Sequence, residues 1–138
     1  MDMKWGLYLA FPLVLMLCVI AAGANINGEW TDPSVNSRAV ITQSGNMVDI
    51  TNSFMWKGKM VEWKARGELR GRALNLKYWY TQNKPAGWEP GTMELRLTDS
   101  KTLSGRWVSE TRKYQQIITL KYIGPEGSGK DAAAGQGR

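Results

Sequence analysis

Beyond Asn27, apolar and polar side chains alternate in short runs separated by glycine and small polar residues. Val61, Trp63 and Ala65 alternate with Glu62, Lys64 and Arg66. Met93, Leu95 and Leu97 alternate with Glu94, Arg96 and Thr98. Leu74, Leu76, Tyr78 and Tyr80 fall on one side, with Asn75, Lys77 and Trp79 on the other. Successive side chains of a strand point to opposite faces, so period-two stretches predict strands with one buried side. Eight are predicted: Asn27–Thr31, Arg38–Gln43, Met47–Asn52, Met60–Arg66, Arg72–Tyr80, Thr92–Thr98, Thr102–Glu110 and Gln115–Ile123. No segment past the first 24 residues shows a helical period.

The punctuation between these runs is uneven. Ser44-Gly45-Asn46, Gly67–Gly71 and Asp99-Ser100-Lys101 predict tight turns, because glycine and asparagine accept the backbone angles that hairpins demand. Asp32–Ser37, Ser53–Lys59 and Thr81–Gly91 are longer and hold Pro33, Trp56, Pro85, Trp88 and Pro90. In an antiparallel meander the odd connections lie at one end and the even ones at the other. The short turns are the even ones. The chain therefore predicts an eight-stranded antiparallel up-and-down β-barrel, tied off at one end and elaborated at the other. Eight strands enclose room for packed side chains or for one small ligand.

The start and end of the chain read differently. Lys4 precedes an apolar run from Trp5 to Ile20, followed by Ala22-Gly23-Ala24. That order of charge, apolar stretch and small residues predicts a signal peptide over residues 1–24, cleaved after Ala24. The alternative is an uncleaved membrane anchor, since Trp5 to Ala24 is long enough to span a bilayer. Either way the remainder is expected in the periplasm or outside the cell, touching a membrane only if the leader is kept. Residues 25–123 are then the barrel domain. Residues 124–138, glycine-rich and without large apolar side chains, predict a disordered tail.

Composition narrows the chemistry. The 138 residues hold no histidine and one cysteine, Cys18, which lies inside the leader. Histidine-based triads, cysteine nucleophiles, thiolate metal sites and disulfides are thereby excluded from the domain. No phosphate-binding glycine loop or calcium loop occurs. Glu62 and Glu94 occupy outward positions of their strands, a poor arrangement for paired-carboxylate hydrolysis. The domain is expected to be no enzyme and to need no cofactor or metal. Its net charge of +6 comes without any block of more than two basic residues. Basic side chains interleave with aromatics, as in single-strand nucleic-acid binders, but export argues against that partner.

The first predicted strand carries Gly28-Glu29-Trp30, the last carries Lys121, and Thr102-Leu103-Ser104-Gly105-Arg106 enters the seventh. With an eight-stranded meander between them, these features resemble the calycin-type barrels, the avidins and lipocalins. The resemblance implies that Trp30 closes the barrel floor and that Lys121 packs across its indole. The avidin ligand set has no clear counterpart: Asp32, Ser34 and Asn36 stand in the relevant region without register. The lipocalin Thr-Asp-Tyr loop motif is absent.

Seven tryptophans, all but Trp5 beyond the leader, are the strongest functional signal. Trp30, Trp63 and Trp107 fall in strands and are expected in the core; Trp79 faces the outer wall. Trp56 and Trp88 are expected in mouth loops, where exposed tryptophans mark recognition. The candidate ligand-binding residues are Trp56, Lys57, Lys84 and Trp88, with Tyr78 and Tyr80 at the end of their strand. The expected function is non-catalytic binding of a small apolar or amphiphilic ligand at the barrel mouth. The alternative is an interaction module, an inhibitor or envelope-assembly subunit, that meets another exported protein through the mouth loops or the Trp79 wall.

Overall fold

The structure, a computed structural model, describes residues 24–127. The expected leader up to Gly23 and the expected tail from Ser128 lie outside the described residues. Eight strands run in chain order: β1 (Gly28–Thr31), β2 (Arg38–Ser44), β3 (Met47–Trp56), β4 (Lys59–Arg70), β5 (Ala73–Gln82), β6 (Gly91–Asp99), β7 (Thr102–Ser109) and β8 (Gln115–Gly124). Each pairs antiparallel with the next, and β8 returns to β1 through Trp30↔Tyr122 and Thr31↔Lys121. The result is a closed up-and-down barrel. Closure satisfies the backbone of every strand on both sides and leaves no free sheet edge.

The alternation read from the sequence sets the inner face. Leu74, Leu76 and Tyr78 of β5, Val61, Trp63 and Ala65 of β4, and Met93, Leu95 and Leu97 of β6 are all buried. Their alternating neighbours Lys64, Lys77, Trp79, Glu94 and Arg96 are exposed. A slip of one residue in any strand would exchange these two sets, so the pattern itself pins the register.

Two connections differ from expectation. The stretch from Ser53 to Lys59 is not a long loop: β3 continues to Trp56, which pairs with Lys59, and only Lys57 and Gly58 turn the chain. Both have positive φ, 49° and 80°, the backbone of a two-residue hairpin turn whose twist matches the flanking strands. Gly67 does not open a turn either. It lies inside β4 opposite Leu76, and the reversal falls at Gly71 and Arg72. A Cβ at Gly67 would stand 1.8 Å from the Asn75 carbonyl oxygen, and one at Gly105 1.8 Å from that of Glu94. These glycines permit the close strand approach at which a small barrel coils.

The tight end is closed by the residues before β1. The Trp30 indole, 1% exposed, donates from Nε1 to the Ile26 carbonyl at 3.0 Å. The Ile26 amide donates to Gln43 Oε1, and Gln43 Nε2 donates to the carbonyls of Ala24 and Gly45. Above this floor lie Ile41, Val48, Ile50, Leu74, Leu103 and Leu120, all essentially inaccessible. The ring covering Trp30 is Tyr122, edge-on at 5.4 Å, and not Lys121 as the calycin resemblance implies. Strand parity explains the exchange: Ile118, Leu120 and Tyr122 share the inner face of β8, so Lys121 points outward, where its Nζ reaches Thr102 Oγ1.

Candidate functional site

The odd connections gather at the opposite end. They are residues 32–37, the Lys57-Gly58 turn, residues 83–90 and residues 110–114. Hydrogen bonds hold each in one shape. In the first, the Val35 and Ser37 amides donate to the Asp32 carbonyl, while Ser34 bonds the Asp32 carboxylate through both its amide and its hydroxyl. In the third, the Trp88 amide donates to the Pro85 carbonyl across a turn with Gly87 at φ 87°. The Asn83 side-chain amide ties this loop to the Met60 carbonyl. In the fourth, the Tyr114 amide donates to Ser109 Oγ and the Ser109 amide to the Tyr114 carbonyl. The third and fourth are joined by Glu89, whose Oε1 accepts from the Thr111 hydroxyl at 2.6 Å, and by the Glu110 amide donating to the Pro90 carbonyl. A binding surface held this way loses little freedom when it is occupied.

Between these loops the barrel holds a cavity of about 760 Å³. Its wall is predominantly aromatic: inward-facing ends of β3, β4, β5 and β7 contribute Phe54, Trp56, Trp63, Tyr78, Tyr80 and Trp107, and the loops add Trp88 and Tyr114. The rings form two joined groups. Trp88 stacks on Phe54 at 6.1 Å and 22°, and lies 5.2 Å from Trp56 and 6.0 Å from Tyr80. Tyr78 meets Trp63, Tyr80 and Trp107 edge-on at 6.4, 6.0 and 6.2 Å. Offset and edge-to-face arrangements at these distances are the favoured ones for aromatic pairs. Met93 and Ile118 complete the inner wall. Among Met47, Met60 and Met93, only Met93 points inward; Met47 and Met60 are exposed.

The polar groups of the wall are few. Glu89 and Lys113 supply one charge of each sign, and Gln115 and Gln116 supply amides. The Thr111 hydroxyl bond is the main force holding the Glu89 carboxyl below its ordinary range, so it is ionised at neutral pH. The two phenols move the other way. Burial raises the Tyr78 hydroxyl, helped by the nearby Tyr80 and Glu89, and burial pushes Tyr80 up to about 12. Both remain neutral hydrogen-bond donors throughout the physiological range.

The six residues singled out from the sequence divide accordingly. Trp56, Tyr78, Tyr80 and Trp88 line the cavity together. Trp56 does so from the end of β3, not from a loop, and is 38% exposed. Lys57 and Lys84 do not line it. The Lys57 ammonium lies 5.7 Å from the Trp56 ring centre, and Lys84 Nζ donates to the Trp88 carbonyl at 2.8 Å, bracing that loop. Phe54, Trp63, Trp107 and Tyr114 were not among the candidates. Trp63 and Trp107 read as core because parity tells inside from outside but not floor from mouth. Their position was legible in the connectivity: Trp63 stands near the start of an even strand and Trp107 near the end of an odd one, both at the mouth.

On the outer wall Trp79 is 40% exposed, as its parity requires. A second depression, of about 580 Å³, lies over β4, β5 and β6 among Arg66, Arg70, Lys77, Glu68 and Glu94. Its charges are mixed and partly paired with one another, and no aromatic ring lines it. Comparison with models of known protein families, with curated proteins and with solved structures finds no match, so the closed barrel and its aromatic mouth rest on this chain's own residues.

Proposed function

We propose that this chain is a non-catalytic, exported binding protein that takes a small apolar or amphiphilic ligand into the open end of its barrel. The carrying observation is the aromatic mouth cavity of about 760 Å³. That size falls within the range of small-molecule sites, which are mostly apolar with a few placed polar groups. The opposite end is filled by Trp30 and aliphatic side chains, so the cavity opens at one end of the barrel only. Eight rings in one wall favour a ligand with a flat, ring-containing body. Glu62 bonds the Thr81 hydroxyl on the outer face and Glu94 lies near Arg106, so neither carboxylate reaches the cavity.

The test is binding of anilinonaphthalene sulfonate, a flat amphiphile whose emission rises on leaving water. The protein should bind it with one site, and Trp88→Ala should weaken binding about tenfold, equivalent to ~1.4 kcal/mol. Absence of saturable binding for this dye and for other flat amphiphiles would contradict the reading.

The exposed pair Met55 and Met60, beside Trp56 at the tip of the β3–β4 hairpin, favours a second reading, a protein-interaction module. Apolar side chains at a rim are what a protein partner would cover. In that case Met55→Ser with Met60→Ser would abolish partner capture and leave dye binding unchanged.

A further inference from the structure

Among the described residues, two buried side-chain polar atoms have no hydrogen-bond partner: Asn52 Oδ1 and Tyr78 Oη. Buried polar groups are paired in the great majority of cases, and an exception needs a reason. Both residues sit on inward-facing positions, Asn52 on β3 and Tyr78 on β5, but only Tyr78 lines the mouth cavity. Its side chain is 3% exposed and is held edge-on by Trp63, Tyr80 and Trp107. Three ring contacts fix the direction of the phenol within the cavity wall. Phenylalanine would fill the same space without an unpaired polar atom. Among the described residues no side chain or backbone group bonds the hydroxyl, so no structural hydrogen bond accounts for it.

We propose that Tyr78 is the specificity-determining residue of the mouth cavity, and that its hydroxyl donates to an oxygen acceptor on a flat, ring-containing ligand. The ligand class is then a planar polycycle carrying a carbonyl or similar acceptor at its buried end. This rests on the mouth cavity being a ligand site. The surrounding wall agrees with the assignment. The rings of Phe54, Trp88 and Tyr80 offer faces and edges for a planar body, and the formal charges at the cavity, Glu89 and Lys113, cancel. A neutral ligand with one acceptor satisfies the wall and the orphan hydroxyl together. A site built to bond such a group discriminates against the analogue that lacks it, because the hydroxyl is then left unpaired.

Fluorene and fluorenone test this cleanly, since they share one planar skeleton and differ by a carbonyl. Equilibrium dialysis against the wild-type protein and Tyr78→Phe gives four affinities. The preference for fluorenone over fluorene should fall about three- to tenfold in Tyr78→Phe, the worth of one hydrogen bond. Fluorene binding should persist in the variant, and its thermal midpoint should be equal to or above that of wild type. A preference that is the same in both proteins overturns the role of Tyr78 while leaving the mouth as a ligand site. A lowered midpoint in Tyr78→Phe also overturns it, since the hydroxyl would then be structural. If neither compound nor the naphthalene dye binds wild type, the cavity is no ligand site and both proposals fall.

Discussion

Trp30 and Trp88 carry the same indole into opposite ends of one barrel, and their surroundings assign them different work. Trp30 is enclosed on all sides, with its Nε1 hydrogen donated to Ile26 and its ring against Tyr122. Trp88 is half-buried, stacked on Phe54 but open toward the cavity. Truncating a buried large aromatic costs about 3–5 kcal/mol through lost transfer energy and the void left behind. Trp30→Ala should therefore lower stability by that amount in a denaturant titration, and an unchanged midpoint would contradict its role as the floor. Trp88→Ala should cost less, because part of its surface already faces the cavity. It will not be silent, though, for Trp88 packs against the core. Parity alone distinguished Trp79 from the inward tryptophans. It did not reveal that Tyr78 would be caged by three rings, since such contacts join residues from different strands.

Among the elements, the strands were the legible part. All eight were visible as alternating runs, and their boundaries moved chiefly where turn chemistry was ambiguous. Lys57-Gly58 lacks the Asn-Gly or Asp-Gly signature of a two-residue hairpin, so no local signal separates the end of β3 (Ser53–Trp56) and the start of β4 at Lys59 from a loop. Gly67 has the opposite history: glycine normally punctuates, but here it is kept inside a strand by the closeness of the Asn75 carbonyl. The bonds between loops were not visible in any local pattern. Glu89 and Thr111 are 22 residues apart, and only barrel closure brings them together. Because this bond holds the Glu89 carboxyl below its ordinary 4.5, the tie between the two mouth loops is fully present above that pH. It is lost as pH falls through the lower folded value, when the carboxylate takes up a proton. The amide resonance of Thr111 should move with a midpoint below 4.5, and Glu89→Gln should abolish that transition. A Thr111 resonance that titrates unchanged in Glu89→Gln would show that another group governs the loops.

At the scale of the whole molecule, asymmetry between the two ends organises the rest. One end has short turns and a tryptophan floor; the other has pinned loops around a ring-lined cavity. The asymmetry was readable from the positions of Pro33, Pro85, Pro90 and Trp88 before any contact was known. Whether the interior was open was not, because filling depends on the shapes of side chains from several strands at once. The indole N–H resonances of the six tryptophans among the described residues report on both ends and on the outer wall in a single spectrum. Titration of the isotope-labelled protein with anilinonaphthalene sulfonate is the most direct test of ligand capture at the mouth. Trp56, Trp63, Trp88 and Trp107 should shift together and saturate, while Trp30 and Trp79 stay in place. Shifts confined to Trp79, or no saturable shift at the four mouth indoles, would contradict it.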